Sequence, residues 1–188
     1  MIIGISGRIA AGKDTLAQFI REIDPQWEIK KFAAKLKQVA SILTGVSTEK
    51  FEDQEFKKQY MAPEWGMMYR EFLQKLGTDA IRKGLHDNAW VNALMSDYKL
   101  MRYLVDDIPT GEYPKWLITD VRFPNEAAAV KNAGGTMIRI WREPEIPGDS
   151  SLHISETALD GYPFDFRVAN TGTLDELRVT ASMLISRL

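Results

Sequence analysis

The stretch Ile2-Ile3-Gly4-Ile5-Ser6-Gly7-Arg8-Ile9-Ala10-Ala11-Gly12-Lys13-Asp14-Thr15 constrains this chain more than any other. A short apolar run is followed by Gly-x-x-x-x-Gly-Lys and then by residues at helical spacing, so both glycines fall in a strand-to-helix turn. Gly7 and Gly12 open a backbone path that residues with a Cβ resist. Successive N–H groups of the loop, that of Ala11 among them, can then turn inward around phosphate oxygens. The helix that opens near Gly12 aims its positive end at the same anion, and Lys13 adds a point charge. The loop therefore implies phosphate binding, with Gly7, Ala11, Gly12, Lys13, Asp14 and Thr15 as candidate nucleotide-binding residues.

The position after the lysine departs from the usual pattern. A Ser or Thr there would hold Mg²⁺, whereas this chain has Asp14, with Thr15 one place later. A carboxylate can serve magnesium, usually through water, but it also sets negative charge beside phosphates. Asp14 is thus a candidate metal ligand.

The 188 residues suit one domain with a substantial core. With 24 Lys+Arg against 26 Asp+Glu, the balance argues for neither nucleic acid nor an anionic membrane as partner. Cysteine is absent, which excludes disulfides, thiolate metal sites and a cysteine nucleophile, and fits a reducing cytoplasm. Met1 runs straight into the motif, as expected where no signal peptide precedes the fold. No apolar run approaches the roughly 20 residues that span a bilayer.

After the loop, Leu16, Phe19, Ile20 and Ile23 are spaced as one face of a helix that Asp24-Pro25 ends. A half-buried strand over Trp27–Phe32 and a helix from Ala34 to Leu43, stopped at Gly45, continue a β-α-β-α order. That order predicts a mostly parallel sheet with covering helices. Strands are also expected at 116–119, 136–141 and 164–169, five in all with the first two. Residues 47–104 break the rhythm. They read as a helical excursion for a second substrate, with helical patterns over Met67–Gly84 and Ala89–Leu104 and no strand between them.

Asp120 and Arg122 follow the strand at 116–119 and so lie at the carboxyl edge, where open α/β sheets place ligands. If the backbone stays extended they share one side. Asp120 would then hold Mg²⁺ or its waters while Arg122 meets a phosphate; a structural Asp120–Arg122 pair capping the next helix is the alternative. Arg142 ends the strand at 136–141 and begins a loop, residues 142–160, that could close as a lid and bring an arginine to a transferring phosphoryl group. His153 and His86 are isolated and make no metal site. Asn170 and Gly172 turn the last strand into the final helix, beside a candidate adenine site.

Four blocks carry a resemblance. Gly12-Lys13-Asp14-Thr15, then Leu76-Gly77-Thr78-Asp79 with Trp90, then Asp120-x-Arg122-x-x-x-Glu126, and His153-Ile154-x-Glu156 before Asn170-x-Gly172 resemble the phage deoxynucleoside monophosphate kinase family in order and spacing. The family is similar in carrying Gly-Lys-Asp. The resemblance implies a P-loop kinase fold and transfer of the ATP γ-phosphate, with Mg²⁺, to a deoxynucleoside monophosphate. It implies that Lys13 binds ATP phosphates, that Arg70, Gly77, Thr78 and Trp90 line the monophosphate site, and that Asp120, Arg122 and Glu126 contact the monophosphate or its metal. Small-molecule nucleotides are the expected partners and the cytoplasm, the host's if phage-encoded, the expected location; a homodimer is left open by the sequence. Residues 47–66 match no family block.

Physical reasoning reaches the same class of reaction. Phosphoryl transfer needs alignment and charge neutralisation, which Lys13, Mg²⁺ and arginines drawn from Arg70, Arg122 and Arg142 would supply. Two other readings fit the loop: a kinase acting on another phosphorylated metabolite or coenzyme precursor, and a nucleotide-dependent switch or assembly ATPase.

Overall fold

Five of the apolar runs form one parallel sheet. In the computed structural model, which describes residues 1–61, 65–106, 108–142 and 154–188, these are β1 (Ile2–Ser6), β2 (Trp27–Lys30), β5 (Lys115–Ile118), β6 (Thr136–Trp141) and β7 (Phe166–Ala169). Their order across the sheet is β2-β5-β1-β6-β7, every neighbour parallel. All of β1 is buried, as a strand must be when both faces of a parallel sheet are covered. Ile3 and Ile5 pack with Leu16 and Ile20 of α1 (Lys13–Ile23) and with Leu177, Ala181 and Leu184 of α8 (Leu174–Ile185). Gly4 points to the opposite face, where a side chain would meet Met137, Val121 and Val130, the last on α6 (Pro124–Asn132). Helices therefore cover both faces.

Local signals set the helix ends. Pro124 opens α6, where a missing N–H costs nothing, and Gly134 follows its end at φ +73°. Thr173 and Glu176 form a capping box at the start of α8.

The chain divides into two compact units, one of residues 1–31 with 96–188 and one of Phe32–Met95. The second is helical: α2 (Ala33–Thr44), a 3₁₀ turn at Lys50–Glu52, α3 (Gln54–Lys57), α4 (Tyr69–Gln74) and α5 (Ala89–Met95). Its core gathers Ala40, Phe51, Met61 and Phe72, and Phe56 stacks on Tyr69 at 4.4 Å. Phe51 and Phe56 of the 47–66 stretch thus belong to the core of this unit, while Tyr60 and Trp65 are exposed. This unit takes in α2, ahead of the composition break at residue 47, and ends at Met95.

Two expectations are corrected. The Met67–Gly84 pattern is not one uniform helix: α4 passes into a π-helical run, Lys75–Lys83, around the buried Gly77. The helix expected over Ala89–Leu104 stops at Met95. Beyond it lies an antiparallel hairpin, β3 (Met101–Val105) and β4 (Ile108–Glu112), in register from Met101↔Glu112 to Val105↔Ile108. Every residue of both strands is exposed, so no buried face imposed the alternation that marks a strand.

Among the described residues, no helix is long and apolar enough to cross a membrane.

Candidate functional site

Parallel strands end on one edge, and the residues that follow β1, β2, β5, β6 and β7 meet there. The loop after β1 is shaped by close approach as much as by dihedral freedom. A Cβ on Gly7 would strike the carbonyl oxygen of Ile140 in β6, so Gly7 is required for contact. Gly12 is required for conformation, at φ +99°. Ala10 accepts φ +60° despite its Cβ. At the end of β7, Asn170 is 9 % exposed; its Nδ2 donates to Ala11 O at 3.0 Å, and its backbone N–H donates to Trp141 O at 2.7 Å. A side chain on Gly12 would displace that amide. The loop is thus clamped from the ends of β6 and β7, and its last residue opens α1 with helix N–H groups facing the loop.

Lys13 turns back on this loop, with Nζ donating to Gly7 O and Arg8 O, each at 2.7 Å. Burial lowers its pKa to about 8; nearby Arg122 lowers it too, while Asp14 and Asp120 oppose the shift. Asp14 Oδ1 accepts the Thr119 hydroxyl at 2.7 Å and lies 3.3 Å from Lys31 Nζ. Burial raises the Asp14 pKa, but the Thr119 hydroxyl, Lys31 and Lys13 outweigh it and hold the carboxyl below its ordinary value. Thr15 sits half-buried in the first turn of α1.

The segment after β5 does not stay extended, so the condition under which Asp120 and Arg122 would share one side is not met. The chain turns at Thr119 and Asp120 because Glu126 Oε2 accepts the N–H groups of Arg122 at 2.7 Å and Phe123 at 3.1 Å. Glu126 is 2 % exposed, and these two bonds shape the loop that carries Asp120 and Arg122. Those two remain half-buried and within electrostatic reach of Lys13. Arg139 adds a cation that the sequence did not single out. It donates to Ser6 Oγ at 3.2 Å and to Asp160 Oδ1 at 2.9 Å, and burial pulls its pKa down. Arg142 is exposed just after β6. Gly172 lies beside the Glu176 carboxylate ahead of α8.

The other predicted residues belong to the helical unit. Arg70 Nη2 donates to Gln54 Oε1 at 3.1 Å. Gly77 is buried against Leu36, with Thr78 half-buried next to it. Trp90 is 7 % exposed and its indole N–H donates to Gly77 O at 2.9 Å, a packing role that ties α5 to the π-helical run. The buried Arg82, whose Nη1 donates to Asp87 O at 3.5 Å, had no sequence signal beyond its charge.

Thr119 and Lys31 were missed, yet a rule would have found them. Any residue directly following a strand of a parallel sheet is an edge residue, and Lys31, Thr119, Arg142 and Asn170 all satisfy that description. The suggested lid falls mostly on residues 143–153, His153 included, which lie outside the described residues. Only Arg142, the short helix α7 (Ile154–Thr157) and the turn after it are described.

Among the described residues, no group of three or more His, Cys, Asp or Glu side chains is arranged for a metal. Asp14 and Asp120 still suit magnesium, which takes one or two carboxylates and completes its shell with phosphate and water.

The model of a family described as deoxynucleotide monophosphate kinase matches residues 30–180. The chain belongs to the deoxynucleotide monophosphate kinase family. A putative deoxynucleotide monophosphate kinase of Acanthamoeba polyphaga mimivirus is 32% identical over 186 residues, covering 94% of this chain and 91% of that protein. Among solved structures, TT1252 from Thermus thermophilus covers 100% of this chain and 97% of its own at 17% identity, with a TM-score of 0.50, a likeness of fold alone. Shikimate kinase from Aquifex aeolicus covers 99% of this chain and 96% of its own at 13% identity and a TM-score of 0.46. Membership in the deoxynucleotide monophosphate kinase family makes the chain a kinase, and so a user of a nucleotide phosphoryl donor.

Proposed function

We propose that the protein transfers the γ-phosphate of ATP to a deoxynucleoside 5′-monophosphate, releasing ADP and the deoxynucleoside diphosphate. The observation that carries this reading is the half-buried Lys13 ammonium bonded back onto the Gly7–Lys13 loop, within electrostatic reach of Asp14, Asp120 and Arg122 at the carboxyl edge of the sheet in a chain of this family. Lys13 exchanges its bonds to Gly7 O and Arg8 O for ATP phosphate oxygens. Loop N–H groups and the α1 terminus hold the same phosphates. Asp14 and Asp120 are the residues that hold magnesium, which neutralises phosphate charge when bound. An oxygen of the monophosphate attacks the γ-phosphorus, the bond to the β-phosphate oxygen breaks, and ADP takes the electron pair. That attacking oxygen is already anionic, so no protein base is required. Arg122 and Arg142 neutralise the moving group, and Arg70, Gly77 and Thr78 serve the monophosphate, with Trp90 supporting Gly77. Asn170 and Gly172 border the adenine side. The reading needs neither nucleic acid nor membrane.

ADP release measured with ATP and each deoxynucleoside monophosphate in turn tests it. Stimulation by at least one monophosphate is expected. ADP release that no monophosphate stimulates would instead favour a switch or assembly ATPase.

A further inference from the structure

Asp14 stands where the usual loop has a magnesium-binding hydroxyl; its side chain is exposed, and two side chains from the ends of other strands of the sheet reach one of its oxygens. Thr119 is 1 % exposed at the end of β5, and its hydroxyl donates to Asp14 Oδ1 at 2.7 Å. A buried β-branched side chain has few rotamers, so this donor is fixed before any ligand arrives. Strand pairing fixes its place as well, because Ile118 of β5 is in register with Gly4 of β1. Lys31 differs in kind. Its side chain is 28 % exposed at the end of β2, and its ammonium reaches the same Oδ1 at 3.3 Å. Both contacts fall on Oδ1, so Oδ2 carries neither of them.

We infer that Thr119 and Lys31 are positioning residues for the metal: Thr119 locks Asp14 with Oδ2 turned to the cation, and Lys31 is a resident counter-charge that competes with magnesium for that carboxylate. The inference rests on the reading that nucleotide phosphates bind at the Gly7–Lys13 loop. A divalent ion near Asp14 meets repulsion from the Lys31 ammonium, while metal-free nucleotide gains attraction from it. The two residues therefore have opposite effects on magnesium demand, which a merely structural pair would not have.

The test is binding rather than turnover. A non-hydrolysable ATP analogue is titrated into the full chain by calorimetry without metal, and magnesium is then titrated into the complex. Thr119→Val is expected to raise the magnesium concentration at half-saturation about tenfold, the size of one charge-assisted hydrogen bond of about 1.4 kcal/mol. Thr119→Ser, which keeps the hydroxyl, should restore it. Lys31→Met is expected to lower the magnesium midpoint several-fold and to weaken metal-free binding of the analogue. Equal midpoints for Thr119→Val and wild type, or a Lys31→Met midpoint that is unchanged or higher, would overturn the inference. So would a wild-type complex indifferent to magnesium, which leaves the nucleotide site standing. Failure of the wild-type chain to bind the analogue at all would overturn the phosphate-loop reading itself. Melting temperatures recorded alongside identify a variant that has lost its fold; for such a Thr119→Val chain, Thr119→Ala carries the same expectation.

Discussion

Replacing Gly12 by alanine perturbs the loop in two separable ways. Gly12 has φ +99°, a region that costs an L-residue about 1–2 kcal/mol. The added Cβ also collides with Asn170 Nδ2, which must give up its 3.0 Å bond to Ala11 O, a loss of about 1 kcal/mol. In the free protein the loop can relax and shed part of this strain; binding phosphate demands the original shape and restores it. With about 1 kcal/mol of the total of about 2–3 kcal/mol left in the free protein, the remaining about 1–2 kcal/mol falls on ATP affinity, a weakening of roughly 5- to 30-fold. The melting temperature should fall only by about 2–4 °C, the size expected for 1 kcal/mol in a chain of this length. Calorimetric titration with the ATP analogue measures the first quantity and a thermal melt the second. The collision is isolated by repeating Gly12→Ala in an Asn170→Ala background, where only the dihedral cost remains. The affinity loss there should be about fivefold smaller. Wild-type affinity in Gly12→Ala, or the same loss in both backgrounds, would refute the clamp.

Arg122→Ala should lower turnover with the monophosphate at least tenfold while ATP affinity changes less than threefold; equal losses in a kinetic and a calorimetric assay would make the residue structural instead. Trp90→Phe removes the donor to Gly77 O and should cost about 1–2 kcal/mol, read as a lower melting temperature, with base selectivity unchanged in a panel of monophosphates. Asp165 accepts the Met137 N–H at 2.7 Å and pairs with Lys131 at 2.9 Å. Burial raises its pKa, but these bonds outweigh it, so the folded value lies below the unfolded one. Its contribution is full above the unfolded value and is lost as pH falls through the folded one, so the stability of Asp165→Asn should fall less steeply as melts are taken downward from about pH 4.

The sheet was legible because the central strand β1 is a buried apolar run, β5 and β6 are mostly apolar, and the half-buried β2 alternates, with helix signals such as Pro25, Gly45 and Gly134-Gly135 between them. The Gly7–Lys13 loop was legible because two glycines and a lysine at fixed spacing have one main physical use. The hairpin at Met101–Glu112 was not. Its strands are exposed throughout, and Leu100, Leu104 and their neighbours mimic a helical stripe without facing a core. The partners of Asp14 were hidden for another reason. Lys31 and Thr119 are far from it in sequence, and only the strand order β2-β5-β1 makes them neighbours. Glu126 Oε2 accepts the N–H groups of Arg122 and Phe123 in the turn ahead of α6, a short-range capping geometry that the resemblance does not imply.

The most direct measurement is transfer of label from [γ-³²P]ATP to unlabelled deoxynucleoside monophosphates, with products separated by chromatography. Labelled deoxynucleoside diphosphate should form with the wild-type chain and be lost in a folded Lys13→Met variant. Label appearing only as inorganic phosphate, or diphosphate forming equally well without Lys13, would contradict the account.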